Sequence, residues 1–218
     1  MTSVAVVPPV YATVPRLWPG ETVVILGGGS SLTAADVNFV RGKARVIAIK
    51  EAGCCAIPGH VAPAPWADVL YAADEKYWRF VKGAPDFAGL KYAIEQTDTP
   101  PIVWPGVQVL RDTGKHGLEL DPSGLRTGYN SGYQAINLAV HLGAARIVLL
   151  GFDCWRGPSG HQNWFGPHPT HLESPYPIFL QAFASLVEPL AAAGVAVANC
   201  SRRTVLTAFP RASLEDVL

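Results

Sequence analysis

Three glycines and two serines separate a short apolar segment from the start of a helix near the N-terminus. The apolar segment runs from Val23 to Leu26, and Thr33 is suited to cap the helix that follows. Glycines let backbone N–H groups approach an anion closely, and a helix N-terminus adds a favourable dipole. We therefore predict a phosphate site in this turn, with the serine hydroxyls as further donors. Its members are Gly27, Gly28, Gly29, Ser30 and Ser31.

This turn matches neither of two common nucleotide-binding motifs. It lacks the lysine of GxxxxGK[ST], and the third glycine of GxGxxG would fall at Leu32. A tight turn that binds no ligand therefore stays an alternative.

The sequence RTGYNSG forms a second polar turn before a helical pattern. Asn130, Ser131 and Gly132 lead into a segment whose apolar residues recur at helical spacing. Asn and Ser are preferred N-caps, so capping explains one of these residues. The whole polar cluster, which includes Arg126 and Thr127, favours a second anion or ribose site.

Two aspartates end apolar runs. Asp74 closes WADVLYAAD and Asp153 closes ARIVLLGFD. An acid at the end of a parallel strand often lies in the ligand crevice, where it could hold a sugar hydroxyl, a base edge or a metal. A role in a turn or as an N-cap is the alternative for each.

Histidines are concentrated in the long segment between two of the helical and strand patterns. His161, His168 and His171 lie in HQNWFGPHPTH, and their spacing fits no standard zinc pattern. A histidine that reaches the crevice could act as a general base, because its pKa lies near neutrality. A solvent-exposed position without a role is the alternative for each one.

Short apolar segments alternate with helical patterns along residues 21–218. This alternation predicts βαβ units, and so one α/β domain: a Rossmann-like three-layer sandwich with a mainly parallel central sheet. The Pro-rich residues 1–20 are predicted to form an extended arm, and residues 154–175 a lid-like loop. Strands are predicted at 23–26, 44–50, 66–74, 106–112, 145–153 and 195–201, and helices at 33–39, 75–83, 131–143 and 176–194.

The composition limits the class of protein. Lys and Arg number 17, as do Asp and Glu, so the formal net charge is zero, which argues against a large nucleic-acid interface. No segment reaches the roughly 18 consecutive apolar residues of a membrane span, and no basic signal-peptide region is present. We expect a cytoplasmic protein that does not bind membranes. Its cysteines, Cys54, Cys55, Cys154 and Cys200, are expected to be free buried thiols.

Four segments occur in the same order in a known superfamily: VVILGGGSSL, YAAD, TGYNSGYQAINLAVHLGAARIVLLGFD and VANCSRRTVL. They resemble the bacterial CMP-sialic acid-dependent sialyltransferases, the motility-associated flagellin glycosyltransferases and the hydroxymethylpterin pyrophosphokinase-like proteins. The resemblance spans roughly residues 20–210, and the chain also looks like short phage-encoded relatives of the group. It implies a nucleotide site and, for a phage protein, the cytoplasm of the host cell.

The resemblance also implies roles for individual residues. The glycine turn would contact the nucleotide phosphate, and a lid histidine, His161 or His168, would be the general base. Lys50 and Glu51 stand where an Asn that binds the donor is usual. At the nucleotide the resemblance places Asn130, Ser131, Gly132, Asp153, Asn199 and Ser201.

These features predict a nucleotide-dependent transferase, in the first place a glycosyltransferase with a CMP-sugar-like donor. The resemblance to the sialyltransferases implies that such a donor binds without a metal. The alternative is an ATP- and Mg²⁺-dependent pyrophosphokinase acting on a small alcohol, with Asp74 and Asp153 as candidate Mg²⁺ ligands. A third reading is a phage accessory protein that binds a nucleotide without catalysis. The acceptor is left open, and the sequence is compatible with a homo-oligomer.

Overall fold

Eight short strands form the centre of the molecule. The computed structural model describes residues 11–96, 102–157, 160–167 and 173–218. The strands are β1 (Thr22–Leu26), β2 (Arg45–Ile49), β3 (Val69–Tyr71), β4 (Leu90–Ile94), β5 (Val107–Asp112), β6 (Gly124–Leu125), β7 (Arg146–Leu150) and β8 (Ala196–Asn199). Every pairing between neighbouring strands of this sheet is parallel.

The strand order reverses once, beside β1. The order across the sheet is β6-β5-β4-β3-β2-β1-β7-β8. The chain therefore builds outward from β1 to β6 and then returns to place β7 on the other side of β1. In open parallel sheets, ligands bind where the strand order reverses, at the carboxyl ends of the strands. Here that point lies between β1 and β7.

Helices cover both faces of the sheet, because the strands are apolar on both faces. Val23 and Ile25 of β1 belong to one buried cluster, and Val24 and Leu26 belong to another. This follows from the alternation of side chains along a strand. The helices are α1 (Ala34–Val40), α2 (Glu75–Phe80), α3 (Ser131–Leu142), α4 (Tyr176–Ala184), α5 (Val187–Ala192) and α6 (Leu214–Val217). The first cluster contains side chains of α3 and α4, and the second contains side chains of α1 and α2, which confirms the three-layer α/β fold.

The single helix predicted at 176–194 is two helices. The first ends at Ala184 and the second begins at Val187. Pro189 explains the break, because proline has no N–H to donate to the carbonyl four residues earlier and its ring would clash there. In α5, Pro189 occupies the first turn, where a missing donor costs least.

Strand β3 is shorter than the sequence predicts, and β4 is absent from the sequence prediction. The strand predicted at 66–74 is ordered as a strand only over Val69–Tyr71. In β4 the charged Lys91 hides the apolar pattern. Its ammonium group is buried and donates to the carbonyl oxygens of Gly83, Ala84 and Pro105 at 3.0, 3.3 and 3.3 Å. The charge is thus compensated by contacts that a sequence pattern does not reveal.

The described part of the N-terminal arm, residues 11–20, packs against the domain. The N–H groups of Ala12 and Val14 donate to the carbonyl oxygens of Val109 and Pro122, each at 2.9 Å. Val14 and Trp18 are buried. None of the helices in the described part of the chain combines the length and the apolar character needed to cross a bilayer.

Candidate functional site

A crevice of about 150 Å³ opens between the carboxyl ends of β1 and β7. Both polar turns predicted from the sequence reach it, and Asp153 is one of the residues that line it. The side chains and backbone that line it are Gly27, Gly28, Gly29, Ile49, Asn130, Gly132, Gly151, Phe152, Asp153, Cys154, Gln162, Asn163, Ser174, Tyr176, Phe179 and Phe183.

The glycine turn, residues 27–31, is held against the loop that follows β7. The N–H groups of Gly27 and Gly29 donate to the carbonyl oxygens of Leu150 and Gly151 at 2.8 and 2.9 Å. A Cβ atom on Gly27 or Gly29 would lie 2.6 or 2.5 Å from the carbonyl oxygen of Gly151. These two glycines are therefore required by the close approach of two loops.

Gly28 is placed differently from its neighbours. A Cβ atom there would have one described protein atom within 4 Å, Asn163 Oδ1 at 3.5 Å. Gly28 lines the crevice, and its φ lies outside the left-handed region that favours glycine. The space beside Gly28 is thus part of the crevice itself, which is what close approach by a ligand requires.

Asp153 is the residue to which the serines of the turn are bound. The N–H group of Ser31 donates to Asp153 Oδ2 at 2.7 Å, and its hydroxyl donates to Oδ1 at 2.6 Å. The hydroxyl of Ser30 donates to Oδ2 at 3.2 Å. The serine hydroxyls, predicted as phosphate donors, are thus used to hold a carboxylate that is only 2% exposed. Burial raises the pKa of Asp153 above its usual value, and the serine hydrogen bonds oppose this rise.

The second polar turn, residues 130–132, places the N-terminus of α3 at the crevice. Asn130 is the N-cap, and its Oδ1 accepts the N–H of Tyr133 at 2.9 Å. The N–H groups of Ser131 and Gly132 have no acceptor within the helix, since the first N–H groups of any helix lack one. The first turn contains no acidic residue. This helix end therefore keeps its partial positive charge for a ligand.

Ser131 has a structural contact of its own. Its hydroxyl accepts the N–H of Ala73, at the end of β3, at 3.3 Å. Gly132 is required by packing, because a Cβ there would lie 2.7 Å from Cε1 of Phe152. The turn thus combines capping, which was one alternative, with a surface that lines the crevice.

Asp74 lies outside the crevice lining and pairs with Lys50. The two residues follow β3 and β2, and their side chains form an ion pair. Asp74 occupies the N-cap position of α2 without a capping hydrogen bond from its side chain. Among the described residues, no group of three or more His, Cys, Asp or Glu side chains is arranged to share a metal ion.

Asn199 and Ser201 are buried behind the crevice and form internal hydrogen bonds. The amide of Asn199 donates to Thr204 Oγ1 and to the carbonyl oxygen of Leu206 at 3.2 and 3.3 Å. The hydroxyl of Ser201 accepts the N–H of Phe152 at 2.8 Å. Ser201 therefore supports the loop after β7 and Asn199 supports the loop after β8, and neither residue lines the crevice.

The described part of the predicted lid packs against the glycine turn. The N–H of Trp164 donates to the carbonyl oxygen of Gly28 at 3.0 Å, and Asn163 forms an isolated β-bridge with Gly29. His161 precedes two lining residues, Gln162 and Asn163, but is not itself one of the lining residues. His168 and His171 lie outside the described residues.

One wall of the crevice is aromatic and was not predicted from the sequence. Tyr176, Phe179 and Phe183 project from α4 at the i, i+3, i+7 spacing of a helix face. Phe152 contacts Phe183 with a ring-centroid distance of 6.1 Å. The spacing was readable from the sequence, but it is also the pattern of an ordinary core helix. Only the position of α4 assigns these rings to the crevice.

Cys154, also at the crevice, is a free and partly buried thiol. Burial raises its pKa to about 12, and the charge of Asp153 adds to the rise. The thiol form therefore dominates at neutral pH, and a nucleophilic role is disfavoured.

Three non-glycine residues around the crevice have left-handed backbone conformations. Lys50, Tyr129 and Cys154 have φ angles of 50°, 62° and 54°. Such angles are uncommon outside glycine, cost of order 1–3 kcal/mol each and cluster at binding sites. Lys50 follows β2, Tyr129 precedes the cap of α3, and Cys154 follows Asp153. Each of them therefore adjoins a residue that lines the crevice.

No protein-family model and no curated protein matches this sequence. Among solved structures, the MAf glycosyltransferase from Magnetospirillum magneticum AMB-1 matches 93% of this chain with a TM-score of 0.60 and 16% sequence identity. The chain spans about a third of that protein, 35% of its length. At this identity the likeness concerns the fold, and it confirms the Rossmann-like α/β architecture that the alternation of strands and helices predicts.

Proposed function

We propose that this chain is a nucleotide-dependent transferase, and specifically a glycosyltransferase whose donor is a nucleotide-activated sugar. The observation that carries the proposal is the convergence of two polar turns at one crevice. The glycine turn and the N-terminus of α3 come from segments about one hundred residues apart, and both lie at the point where the strand order reverses. The fold shared with a glycosyltransferase supports the same reaction class.

The donor phosphate would bind between Gly28 and the start of α3. Gly28 provides open space without a side chain, and Ser131 and Gly132 provide N–H groups at a helix end whose first turn contains no acidic residue. Backbone N–H groups at a helix N-terminus form a ready anion site. The aromatic wall of α4 would exclude water from the other side of the bound donor.

In the proposed reaction, an acceptor hydroxyl attacks the anomeric carbon of the donor sugar. The new C–O bond forms as the bond from this carbon to the phosphate oxygen breaks, and the nucleotide leaves with the electron pair. A lid histidine, His161 or His168, takes the proton of the acceptor hydroxyl. The helix N-terminus stabilises the negative charge that develops on the leaving phosphate.

We propose donor binding without a metal. Asp153 already accepts three hydrogen bonds from Ser30 and Ser31, and Asp74 is paired with Lys50. The two carboxylates suggested as Mg²⁺ ligands for a pyrophosphokinase are thus engaged in other contacts. This favours the glycosyltransferase over the pyrophosphokinase.

A thermal-shift panel tests the proposal. The protein is melted with CMP, CDP, UDP, GDP, ADP and ATP, each in Mg²⁺ and each in EDTA, because ligands of the native state raise the melting temperature by mass action. Stabilisation by CMP or a nucleoside diphosphate in EDTA is the expected result. Stabilisation by ATP in Mg²⁺ alone would favour the pyrophosphokinase, and no shift with any nucleotide would refute both.

Turnover separates catalysis from simple binding. With the matching nucleotide sugar, the native protein should transfer or slowly hydrolyse the donor, and either His161→Asn or His168→Asn should abolish this while nucleotide binding is kept. Binding with no turnover would instead identify a non-catalytic accessory protein. Unchanged turnover in both variants would refute the role of the histidines.

A further inference from the structure

Tyr129 is an exposed aromatic residue held at the rim of the crevice in a strained conformation. Its side chain is 43% exposed, and its φ is 62°. It directly precedes Asn130, which lines the crevice and caps α3. Tyrosine does not favour a positive φ, and Tyr129 is not buried in the core. Neither backbone preference nor packing therefore explains why a tyrosine occupies this position.

The backbone around Tyr129 is fixed by several contacts. Gly128 also has a positive φ of 49°, and a Cβ there would overlap the ring of Tyr133. The carbonyl oxygen of Gly128 accepts Asn130 Nδ2 at 2.8 Å, and its N–H donates to the carbonyl oxygen of Lys115 at 2.9 Å. The turn therefore has one shape, and that shape directs the chain so that Tyr129 stands outside the core.

Two further exposed side chains are brought to the same ring from a different segment. The ammonium group of Lys115 lies 5.5 Å from the centroid of the Tyr129 ring, and the ring of His116 meets it edge-on at 5.7 Å. Within the described part of the chain, Lys115 forms no ion pair with a carboxylate. We call Lys115, His116 and Tyr129 the rim cluster.

We propose that the rim cluster recognises the nucleoside end of the bound nucleotide, with the base stacked on Tyr129 and the charge of Lys115 directed at its phosphates. This inference rests on the proposed function, because it assumes a phosphate at the start of α3. An exposed tyrosine ring offers a flat surface on which any base can stack, because every base has a π face.

The distances are suitable for a single nucleotide. Tyr129 and Gly132 are three residues apart, so their Cα atoms are at most about 11 Å from one another. A nucleotide spans a comparable distance from phosphate to base. The ring of His116 meets that of Tyr129 edge-on, and the turn that carries Tyr129 is held by the hydrogen bonds of Gly128. The platform would thus be formed before the ligand binds, which lowers the entropic cost of binding.

Calorimetric titration of matched variants tests the platform. The ligands are CMP, AMP and ribose 5-phosphate, which lacks a base. Tyr129→Asn removes the ring but tolerates a positive φ, and Tyr129→Phe keeps the ring. We expect Tyr129→Asn to weaken CMP and AMP about tenfold, in line with the loss of one base–aromatic stack, and to leave ribose 5-phosphate unchanged. Tyr129→Phe should bind all three like the native protein.

Lysine variants provide a second, different signature. Lys115→Met should weaken all three ligands to the same extent, because it removes charge and not stacking. Lys43→Met is the control, since Lys43 also lies over an aromatic ring, that of Phe39, but stands between α1 and the amino end of β2, whereas the crevice lies at the carboxyl ends of the strands. It should change none of the affinities.

The outcomes separate this inference from the proposed function. If the native protein binds none of the three ligands and no nucleotide of the thermal-shift panel, the nucleotide function is wrong, and the base platform is refuted with it. If it binds CMP or AMP and Tyr129→Asn binds them equally well, the platform is wrong while the function stands. Upfield shifts of the cytosine protons in bound CMP, lost in Tyr129→Asn, would report stacking directly.

Discussion

At the scale of single residues, the glycines of the first turn are not equivalent. Gly27 and Gly29 are glycines because the loop after β7 leaves no room for a Cβ atom. A Cβ atom on Gly28 would have room, because it would point into the open space of the crevice. In the sequence GGGSS, Gly27 and Gly29 are therefore required by packing, whereas Gly28 is the position that a ligand would approach.

Gly28→Ala should weaken nucleotide binding without destabilising the fold, whereas Gly29→Ala should destabilise the fold. Alanine at 28 meets no close atom, so the melting temperature should stay the same or rise slightly, in keeping with a gain of about 0.4–1 kcal/mol for alanine at a compatible site. Nucleotide affinity should fall at least tenfold. Alanine at 29 would lie 2.5 Å from Asp153 Oδ1 and should destabilise the fold by about 1–3 kcal/mol.

Thermal melts and titration with the best nucleotide of the panel measure both effects. A stable Gly28→Ala protein that binds its nucleotide normally would contradict the assignment of the crevice. The Gly29→Ala variant is the comparison, because its melting temperature reports the clash with Asp153 and Gly151.

The buried carboxyl of Asp153 predicts a specific dependence on pH. Its folded pKa is raised above the unfolded value of 3.8 by burial, so between these two values the folded state binds the proton and the unfolded chain does not. Native stability therefore falls as the pH rises through this window. Asp153→Asn cannot titrate, so its stability relative to the native protein should rise with pH.

Urea unfolding of the native and Asp153→Asn proteins, from the acid range to neutrality, provides the measurement. At low pH the native residue is a neutral acid that resembles the asparagine most closely. A constant difference between the two proteins across the whole range would show that Asp153 does not titrate as its burial requires.

At the scale of elements, the loop after β8 is tied to α1 by an ion pair. Arg202 Nε and Nη2 donate to Asp36 Oδ2 and Oδ1 at 2.8 and 2.9 Å. The side chain of Asp36 is 10% exposed and that of Arg202 is 56% exposed. Asp36 also completes the capping box of α1 with Thr33. The helix that follows the glycine turn is thus held at its start from two directions.

Arg202→Met should cost about 1 kcal/mol at neutral pH, because the pair is bidentate but partly exposed to solvent. Burial raises the pKa of Asp36, but hydrogen bonds from Arg202 and Thr33 outweigh it and the net shift is downward from 3.8. A depressed folded pKa means that this stability is present above 3.8 and is lost as the pH falls through the folded value. The native and variant melting temperatures should therefore converge at low pH, as measured by calorimetry. Parallel curves down to the lowest pH would contradict the ion pair.

At the scale of the whole molecule, the sheet order decides which of two concave surfaces is the site. A larger groove of about 470 Å³ lies at the amino ends of β3 and β4, lined by Leu17, Trp18, Pro65, Trp66, Ala67, Asp68, Ala88, Gly89 and Leu90. The residues that line this groove include neither the glycine turn nor the N-terminus of a long helix such as α3. Size alone would favour this groove, whereas the direction of the parallel strands favours the crevice.

Hydrogen exchange should distinguish the two surfaces. Saturation with the nucleotide that stabilises best should slow exchange in residues 27–32, 130–134 and 151–154. The groove residues 65–68 should be protected only through the global gain in stability, about 2.7 kcal/mol at one hundred times Kd. Stronger protection at 65–68 than at the glycine turn would place the ligand in the groove.

The sequence by itself determined the local features of this protein. The alternation of apolar strands and amphipathic helices fixed the α/β class, and Thr33 and Asn130 are the caps that their types predict. The two polar turns were recognisable because glycine, serine and asparagine have distinct backbone and hydrogen-bonding properties. Strand β4 was missed because a lysine is not expected inside a buried strand. Lys91 is tolerated there because its ammonium group donates to the carbonyl oxygens of Gly83, Ala84 and Pro105.

Tertiary structure alone decided how these features are combined. It placed β7 beside β1, and so brought Asp153 to Ser30 and Ser31, which are more than 120 residues away in the chain. It also turned the aromatic face of α4 towards the crevice and set Lys115 beside Tyr129. Local propensity depends on neighbours a few residues apart, whereas these contacts depend on the order of strands in the sheet. A short sequence pattern carries no record of that order, since the same βαβ units can be wound in several ways.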